Sequence, residues 1–271
     1  MFIQFKLWHY CSTPFHQFIL QESGLNCPTL CLLVFRWKNR VEVHHQILEE
    51  AIMMIKALVF DAYGTLYDVH SLKKACEKFF PEKGKSISIA WRKKQLEYFF
   101  QRQLMGRYRP FDELTEDALV FACKAEGVKP SQQEIKTLMD AYLELELFDE
   151  VEDVLAGCKG VQRVIFSNGS SNMIEPLVSG SQIEPHIDKI ISADGVKQYK
   201  PAAPAYAYAL DQLDVNRDEV LFMSSNSWDI MGAASFGFHT AWINRGRNQP
   251  DTLDIQPEKA YTDLRGILEW L

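Results

Sequence analysis

Val59-Phe60-Asp61-Ala62-Tyr63-Gly64-Thr65-Leu66-Tyr67-Asp68 closes an apolar run with a carboxylate and then turns on a glycine. The reading is that Asp61 stands where a parallel strand ends. In an open α/β sheet, ligands bind in the crevice beyond the strands' carboxyl ends, so a carboxylate there is a candidate nucleophile or metal ligand. The alternative is a helix N-cap, an Asp before a turn. Three further motifs at matching strand ends weigh against that alternative.

The first strand spans residues 55–60, and short apolar strands recur at 161–166, 189–192, 220–223 and 239–243. Helical patterns separate them, which predicts an α/β fold with a doubly wound, Rossmann-like parallel sheet. The first connection is far too long for a simple crossover. About a hundred residues with helical periodicity fill it, including 88–105, 111–126 and 131–147, with Gly106, Gly127 and Pro130 as breaks. This predicts an inserted helical cap over residues 68–148, set on a catalytic core of 54–67 plus 149–271. A lid there excludes water and brings its own side chains to a substrate. The tail after Asp251 is expected to add a short strand and a helix.

The chain has 271 residues, 47% hydrophobic and 24% charged, with a net charge of −7. That composition fits a soluble globular protein, and the negative charge argues against nucleic acid as a partner. No apolar run reaches membrane-spanning length and no signal peptide is evident, so the expected location is the cytoplasm. Residues 1–53 differ from the rest: they carry three of the six cysteines (Cys11, Cys27, Cys31) and four of the seven histidines (His9, His16, His44, His45). Cys27, Cys31 and His44 approach a zinc-finger spacing, but His45 follows immediately where three to five intervening residues are needed. The expectation is a poorly ordered or non-native extension, with Met53 or Met54 as the natural start. Cys76, Cys123 and Cys158 are isolated in helical segments and read as buried thiols.

Four segments should meet at one crevice: Asp61 to Thr65, Ser167-Asn168-Gly169-Ser170, Lys200-Pro201, and Ser224-Ser225-Asn226-Ser227-Trp228-Asp229. Together they supply two carboxylates, hydroxyls, amides and a lysine, the ingredients of nucleophilic catalysis with anion stabilisation. This order of motifs resembles the haloacid dehalogenase superfamily and, within it, the (S)-2-haloacid dehalogenases. The similarity runs from Met54 to about Leu268 and includes Trp91-Arg92-Lys93-Lys94-Gln95-Leu96-Glu97-Tyr98.

Phosphatases of that superfamily carry a second aspartate two residues after the nucleophile and an acidic pair in the last motif that holds Mg²⁺. Here Tyr63 takes the first place, and Asn226 with a lone Asp229 offers little charge for a hard cation. No metal and no cofactor are therefore expected. The resemblance implies Asp61 as nucleophile, Lys200 beside it, and Thr65, Ser224 and Asn226 holding its carboxylate. Asp229 orients Lys200 or activates water. Ser167, Asn168 and the backbone at Ala62 and Tyr63 correspond to contacts with the substrate carboxylate and halide. Arg92 matches the residue that receives the departing halide, Phe111 and Trp228 form an apolar wall, and Tyr206 supports the site. Read without the resemblance, Arg92 lies on a charged helix face, Phe111 and Trp228 are core aromatics, and Tyr206 is helix packing. Lys93 stands where the resemblance leads one to expect glutamine.

The implied activity is hydrolysis of short (S)-2-haloalkanoic acids to (R)-2-hydroxyalkanoic acids and halide through an aspartyl ester. A homodimer through the cap is also expected, with Phe99, Phe100 and Leu104 as spare apolar surface. The alternatives are a Mg²⁺-dependent phosphatase of the same superfamily and a catalytically idle binding module.

Overall fold

Strand β1 (Ala57–Phe60) lies in the middle of a six-stranded, all-parallel sheet, between β2 (Gln162–Ser167) and β4 (Val220–Ser224). With β3 (Lys189–Ser192), β5 (His239–Ile243) and β6 (Lys259–Tyr261), the order is β3-β2-β1-β4-β5-β6. Val59 pairs with Val164 on one side and Phe222 on the other. The computed structural model describes residues 55–271. The zinc-like spacing, the terminal extension and the two candidate start methionines lie outside those residues.

The strands β1 to β5 form from four- to six-residue runs, and the central ones are apolar because both faces of the sheet are buried there, while the edge strand β6 is three residues long and largely exposed. Alternation along β1 sends Leu58 and Phe60 into one core and Ala57 and Val59 into the other, all without measurable exposure. On the first face pack α5 (Val151–Gly157), α6 (Ser171–Ser179) and the 3₁₀ segment Leu264–Trp270. On the second pack α7 (Ala203–Asp211) and α8 (Ser227–Phe236). Each fully buried Leu, Val or Phe contributes about 1.5–3 kcal/mol, an upper figure for area removed from water.

Between β1 and β2 lies a helical insert: α1 (Leu72–Phe79), α2 (Gly84–Leu104), α3 (Phe111–Ala125) and α4 (Gln132–Asp140). Ser131 caps α4 and Glu134 closes a reciprocal capping box. The sequence pattern carries this last helix to Leu147, but the structure ends it at Asp140. A 3₁₀ turn follows at Ala141–Leu143, and the chain then extends to pair with the outgoing segment: Tyr67 bridges Leu147, and the Asp68 N–H donates to the Glu146 carbonyl at 2.8 Å. The tail helix is likewise 3₁₀ rather than α. Helix α2 starts at Gly84, four residues before the expected Ser88. A Cβ at Gly84 would lie 2.3 Å from the Glu77 nitrogen, so only glycine lets α2 begin against α1. Cys76, Cys123 and Cys158 are buried free thiols. Among the described residues, no helix is long and apolar enough to cross a membrane.

Candidate active site

The strand order reverses direction between β1 and β4, which opens a crevice at their carboxyl ends. Asp61 follows β1 directly, and its N–H continues the ladder to the Met223 carbonyl at 2.8 Å. The chain then folds over itself: the N–H groups of Leu66 and Tyr67 donate to the Ala62 carbonyl at 2.9 and 3.1 Å. Gly64, at φ 93°, permits this turn, and a Cβ there would sit 3.0 Å from Ser225 Oγ. Asp61 is therefore no helix cap. The N–H groups of Ala62 and Tyr63 donate to no protein acceptor among the described residues, which leaves two adjacent donors beside the carboxylate.

Asp61 is 4% exposed, and its two oxygens are treated differently. Oδ1 accepts from Lys200 Nζ at 3.0 Å. Oδ2 accepts from Thr65 Oγ1 at 3.0 Å, Asn226 Nδ2 at 3.1 Å and Ser224 Oγ at 3.4 Å. Thr65 and Ser224 are turned toward it by their other bonds. The Ser225 N–H donates to Thr65 Oγ1 at 2.8 Å and the Asn226 N–H to Ser224 Oγ at 3.1 Å, so the Ser224 proton is left for Asp61, and the Thr65 proton has Asp61 at 3.0 Å as a closer acceptor than Ser225 Oγ at 3.3 Å.

Lys200 has no exposed surface and uses all three ammonium hydrogens: on Asp61, on Asp229 Oδ2 at 2.7 Å and on the Phe166 carbonyl at 3.0 Å. Its backbone is clamped by Asn168, which accepts from the Lys200 N–H at 2.8 Å and donates to the Lys200 carbonyl at 3.2 Å. Burial pulls the lysine pKa down, but the carboxylates of Asp229 and Asp61 outweigh it and hold the ammonium charged, above the ordinary lysine value. Burial pushes the Asp229 carboxyl up to about 6, opposed by the charge on Lys200 and aided by the charge on Asp61. Tyr206 donates to Asp229 Oδ1 at 2.7 Å, and its own pKa lies well above normal through burial and that carboxylate. Asp229 is wholly enclosed by these two partners, so its geometry suits orienting Lys200 rather than activating water in the crevice.

Ser167 is buried, and its Oγ accepts from the Gly169 N–H at 3.0 Å. From the insert, Arg92 reaches the Tyr63 carbonyl at 3.4 Å and Gln95 Oε1 at 2.7 Å. Phe111 stacks on Tyr63 with centroids 6.2 Å apart. Phe111 and Trp228 are joined through Phe99, whose ring centroid is 6.1 Å from the first and 5.3 Å from the second. This corrects one expectation: Phe99 is 1% exposed and belongs to the aromatic wall, not to spare surface, whereas Leu104 is 87% exposed. Phe100 is half-buried, its ring edge-on to Trp228.

Sequence reasoning passed over Gln95 and Tyr142 as neighbours of the site, and assigned Phe99 to the cap's outer surface. Tyr142 lies edge-on to Tyr63 at 5.9 Å. Their spacing marks them as core, and nothing local separates a core residue from one lining a crevice. Among the described residues the buried Tyr63 hydroxyl has no protein partner, and its pKa is raised by desolvation and by Tyr142, so the phenol stays protonated.

These groups do not suit a hard divalent cation. Asn226 turns its amide hydrogens toward Asp61, and the oxygen facing away from that cluster meets an ammonium. A Mg²⁺ site needs several unclaimed oxygen anions, which Asp61 alone does not provide.

The family model of the haloacid dehalogenase-like hydrolases matches residues 55–237. The chain is 44% identical over 217 residues to an (S)-2-haloacid dehalogenase of Pseudomonas sp. (strain YL), covering 79% of this chain and 94% of that one. A crystal structure of an L-2-haloacid dehalogenase, RSc1362, superposes with a TM-score of 0.77 at 39% identity, over 80% of this chain and 98% of the other. The L-2-haloacid dehalogenase from Xanthobacter autotrophicus, solved with chloropropionic acid covalently bound, gives 0.76 at 33% identity, over 80% and 98% of the two chains.

Proposed function

Because the chain belongs to the haloacid dehalogenase-like hydrolases, we propose that it hydrolyses short (S)-2-haloalkanoic acids to (R)-2-hydroxyalkanoic acids. The observation that carries the reading is the unequal grip on Asp61, one oxygen on an ammonium and the other in a three-donor nest.

Oδ1 attacks the halogen-bearing carbon from behind, the carbon–halogen bond breaks, and the halide leaves with its bonding pair. One displacement at carbon inverts the centre. Water then adds to Cγ of the ester and the developing oxyanion on Oδ2 sits in the nest of Thr65, Ser224 and Asn226; the Cγ–Oδ1 bond breaks, the hydroxy acid leaves with Oδ1 as its hydroxyl oxygen, and the water oxygen completes the regenerated carboxylate with loss of one proton. A halide leaves without being protonated, so a tyrosine where phosphatases have an acid is compatible with this reaction. Substrate and nucleophile are both carboxylates, and their repulsion is offset by Lys200 and by the free N–H pair of Ala62 and Tyr63, with Ser167 and Asn168 adjoining. Asp229 and Tyr206 keep Lys200 in place. Arg92 receives the departing halide, for which a weakly hydrated guanidinium is suited. Phe111 and Trp228 exclude water from the reacting carbon.

The same reading makes the insert a cap over the core, the enzyme cytoplasmic and independent of metal or cofactor, and the assembly a homodimer through the cap, with Leu104 as exposed apolar surface. Relatives named for (S)-2-haloacids and the aromatic rings of Phe99, Phe111 and Trp228 near Asp61 support chloroacetate and 2-chloropropionate as first substrates.

The test is halide release from racemic 2-chloropropionate in EDTA, with wild type beside Asp61→Asn. Release that consumes only the (S) form and stops in the variant is expected. Mg²⁺-dependent phosphate-ester hydrolysis without halide release would put a phosphatase in its place, and silence in both assays would leave a binding module. Sedimentation as a monomer at micromolar concentration would end the dimer reading.

A further inference from the structure

We infer that Gln95 and Thr115 form a neutral relay that aims Arg92 at the leaving halide while keeping its positive charge unspent. The inference rests on the reading of Arg92 as the halide's receiver.

Both residues are fully buried, on facing helices α2 and α3. Thr115 Oγ1 donates to the Phe111 carbonyl at 2.7 Å, one turn back on its own helix. Its single proton is thereby committed, and its oxygen must accept from Gln95 Nε2, also at 2.7 Å. That bond fixes the amide's orientation: Gln95 Oε1 faces Arg92 and accepts from its guanidinium at 2.7 Å. The flipped amide would set NH₂ against guanidinium and one lone pair against another. Thr115 is itself held, because Trp91 Nε1 donates to its carbonyl at 2.7 Å. The polarity therefore runs one way, from Arg92 through Gln95 and Thr115 to the Phe111 carbonyl.

Neutrality is the functional point. Both hydrogen bonds of Arg92 end on uncharged oxygens, Gln95 Oε1 and the Tyr63 carbonyl, and among the described residues it forms no ion pair. A carboxylate at position 95 could take the same bond, and more strongly. It would also cancel the field on which a departing anion depends, because opposite charges in contact within a desolvated site leave little potential beyond them. Glutamine supplies the aim without the cancellation. It is a positioning residue, since it reaches the halide only through Arg92.

The experiment measures turnover of (S)-2-chloropropionate and inhibition by added bromide in four variants, with thermal unfolding of each. Gln95→Glu keeps Arg92 in place but neutralises it; kcat should fall about tenfold or more, the factor that one lost charge-assisted contact carries, and bromide inhibition should weaken in parallel. Thr115→Val frees the amide to rotate and should weaken both, and Thr115→Ser should restore both. Unchanged kcat and bromide inhibition in Gln95→Glu, or lower turnover with unchanged bromide inhibition, overturns the relay. If Gln95→Glu does not fold, the Thr115 pair decides, and wild-type behaviour of Thr115→Val on both readouts is equally fatal. Arg92→Lys separates the two levels: if it keeps wild-type turnover and bromide inhibition, the reading of Arg92 itself fails.

Discussion

Replacing Lys200 with methionine keeps the stem's volume and removes one charge from a place with no solvent. The ammonium ties together Asp61 at 3.0 Å, Asp229 at 2.7 Å and the Phe166 carbonyl at 3.0 Å. Without it, two carboxylates share a buried site with no counter-ion. Breaking such a pair costs about 3–5 kcal/mol near neutral pH, which for a domain of this size lowers the midpoint of thermal unfolding by roughly 6–20 °C. The penalty must depend on pH. Buried carboxylates left alone have folded-state pKa values raised above the unfolded ones, so the native state binds the extra proton. Stability is then greatest below the unfolded value and is lost as pH rises through the folded one. From about pH 7 to 5 the variant should regain about 2.7 kcal/mol for one proton taken up over two pH units. The wild type regains less, because the charge on Lys200 opposes protonation of its Asp229. The gap between the two proteins should therefore narrow on acidification. Urea unfolding at both pH values, followed by tryptophan fluorescence, measures it. A midpoint within 2 °C of wild type, or a gap that does not narrow on acidification, would falsify the assignment of Lys200 as the buried counter-ion.

Burial raises the Asp229 carboxyl to about 6, so its hold on Lys200 should weaken on acidification and kcat should fall with a one-proton slope toward low pH; a flat kcat profile from pH 5 to 8 contradicts this. Tyr206→Phe removes the 2.7 Å bond to Asp229 Oδ1, which should cost about 1–3 kcal/mol and move the acid limb of the kcat profile to higher pH; an unmoved limb means Tyr206 only packs. Gly169→Ala places a Cβ 2.8 Å from Tyr63 Cε2 and 3.2 Å from its hydroxyl. Overpacking of this kind costs about 1–3 kcal/mol, and displacement of the buried ring should raise KM for 2-chloropropionate, so unchanged Tm and KM would show that Tyr63 yields freely.

The sheet was legible because buried parallel strands appear as short apolar runs, and β3 and β5 begin and end where the runs do. The cluster around Asp61 was legible for a related reason: polar residues placed directly after such runs have to meet at one edge of the sheet. What escaped depends on contacts distant in sequence. The pattern after Ser131 stays helical to Leu147, and only pairing with Tyr67, eighty residues earlier, pulls its end into extended chain. Phe99 and Tyr142 are core by burial; that the same rings also pack on Trp228 and on Tyr63, beside Asp61, is a matter of tertiary arrangement. Gln95 is one polar residue among several on α2, and its partner Thr115 lies on another helix.

The central place of β1 also sets the order in which the molecule can assemble. Its two neighbours in the sheet begin at Gln162 and Val220, about a hundred and 160 residues further along the chain. At ribosomal speeds of about 5–20 residues per second, the segment Ala57–Phe60 leaves the tunnel on the order of ten seconds before either partner exists. During that interval both of its edges are unpaired and its apolar side chains are uncovered, the condition under which strands join the wrong chain. The helices of the insert, built from local contacts, form in the meantime. The charged pocket behind Asp61 is thus among the last parts to close, since Lys200 arrives after β2 and Asp229 after β4. A nascent chain therefore carries Asp61 for most of its synthesis before the groups that hold its carboxylate have been made.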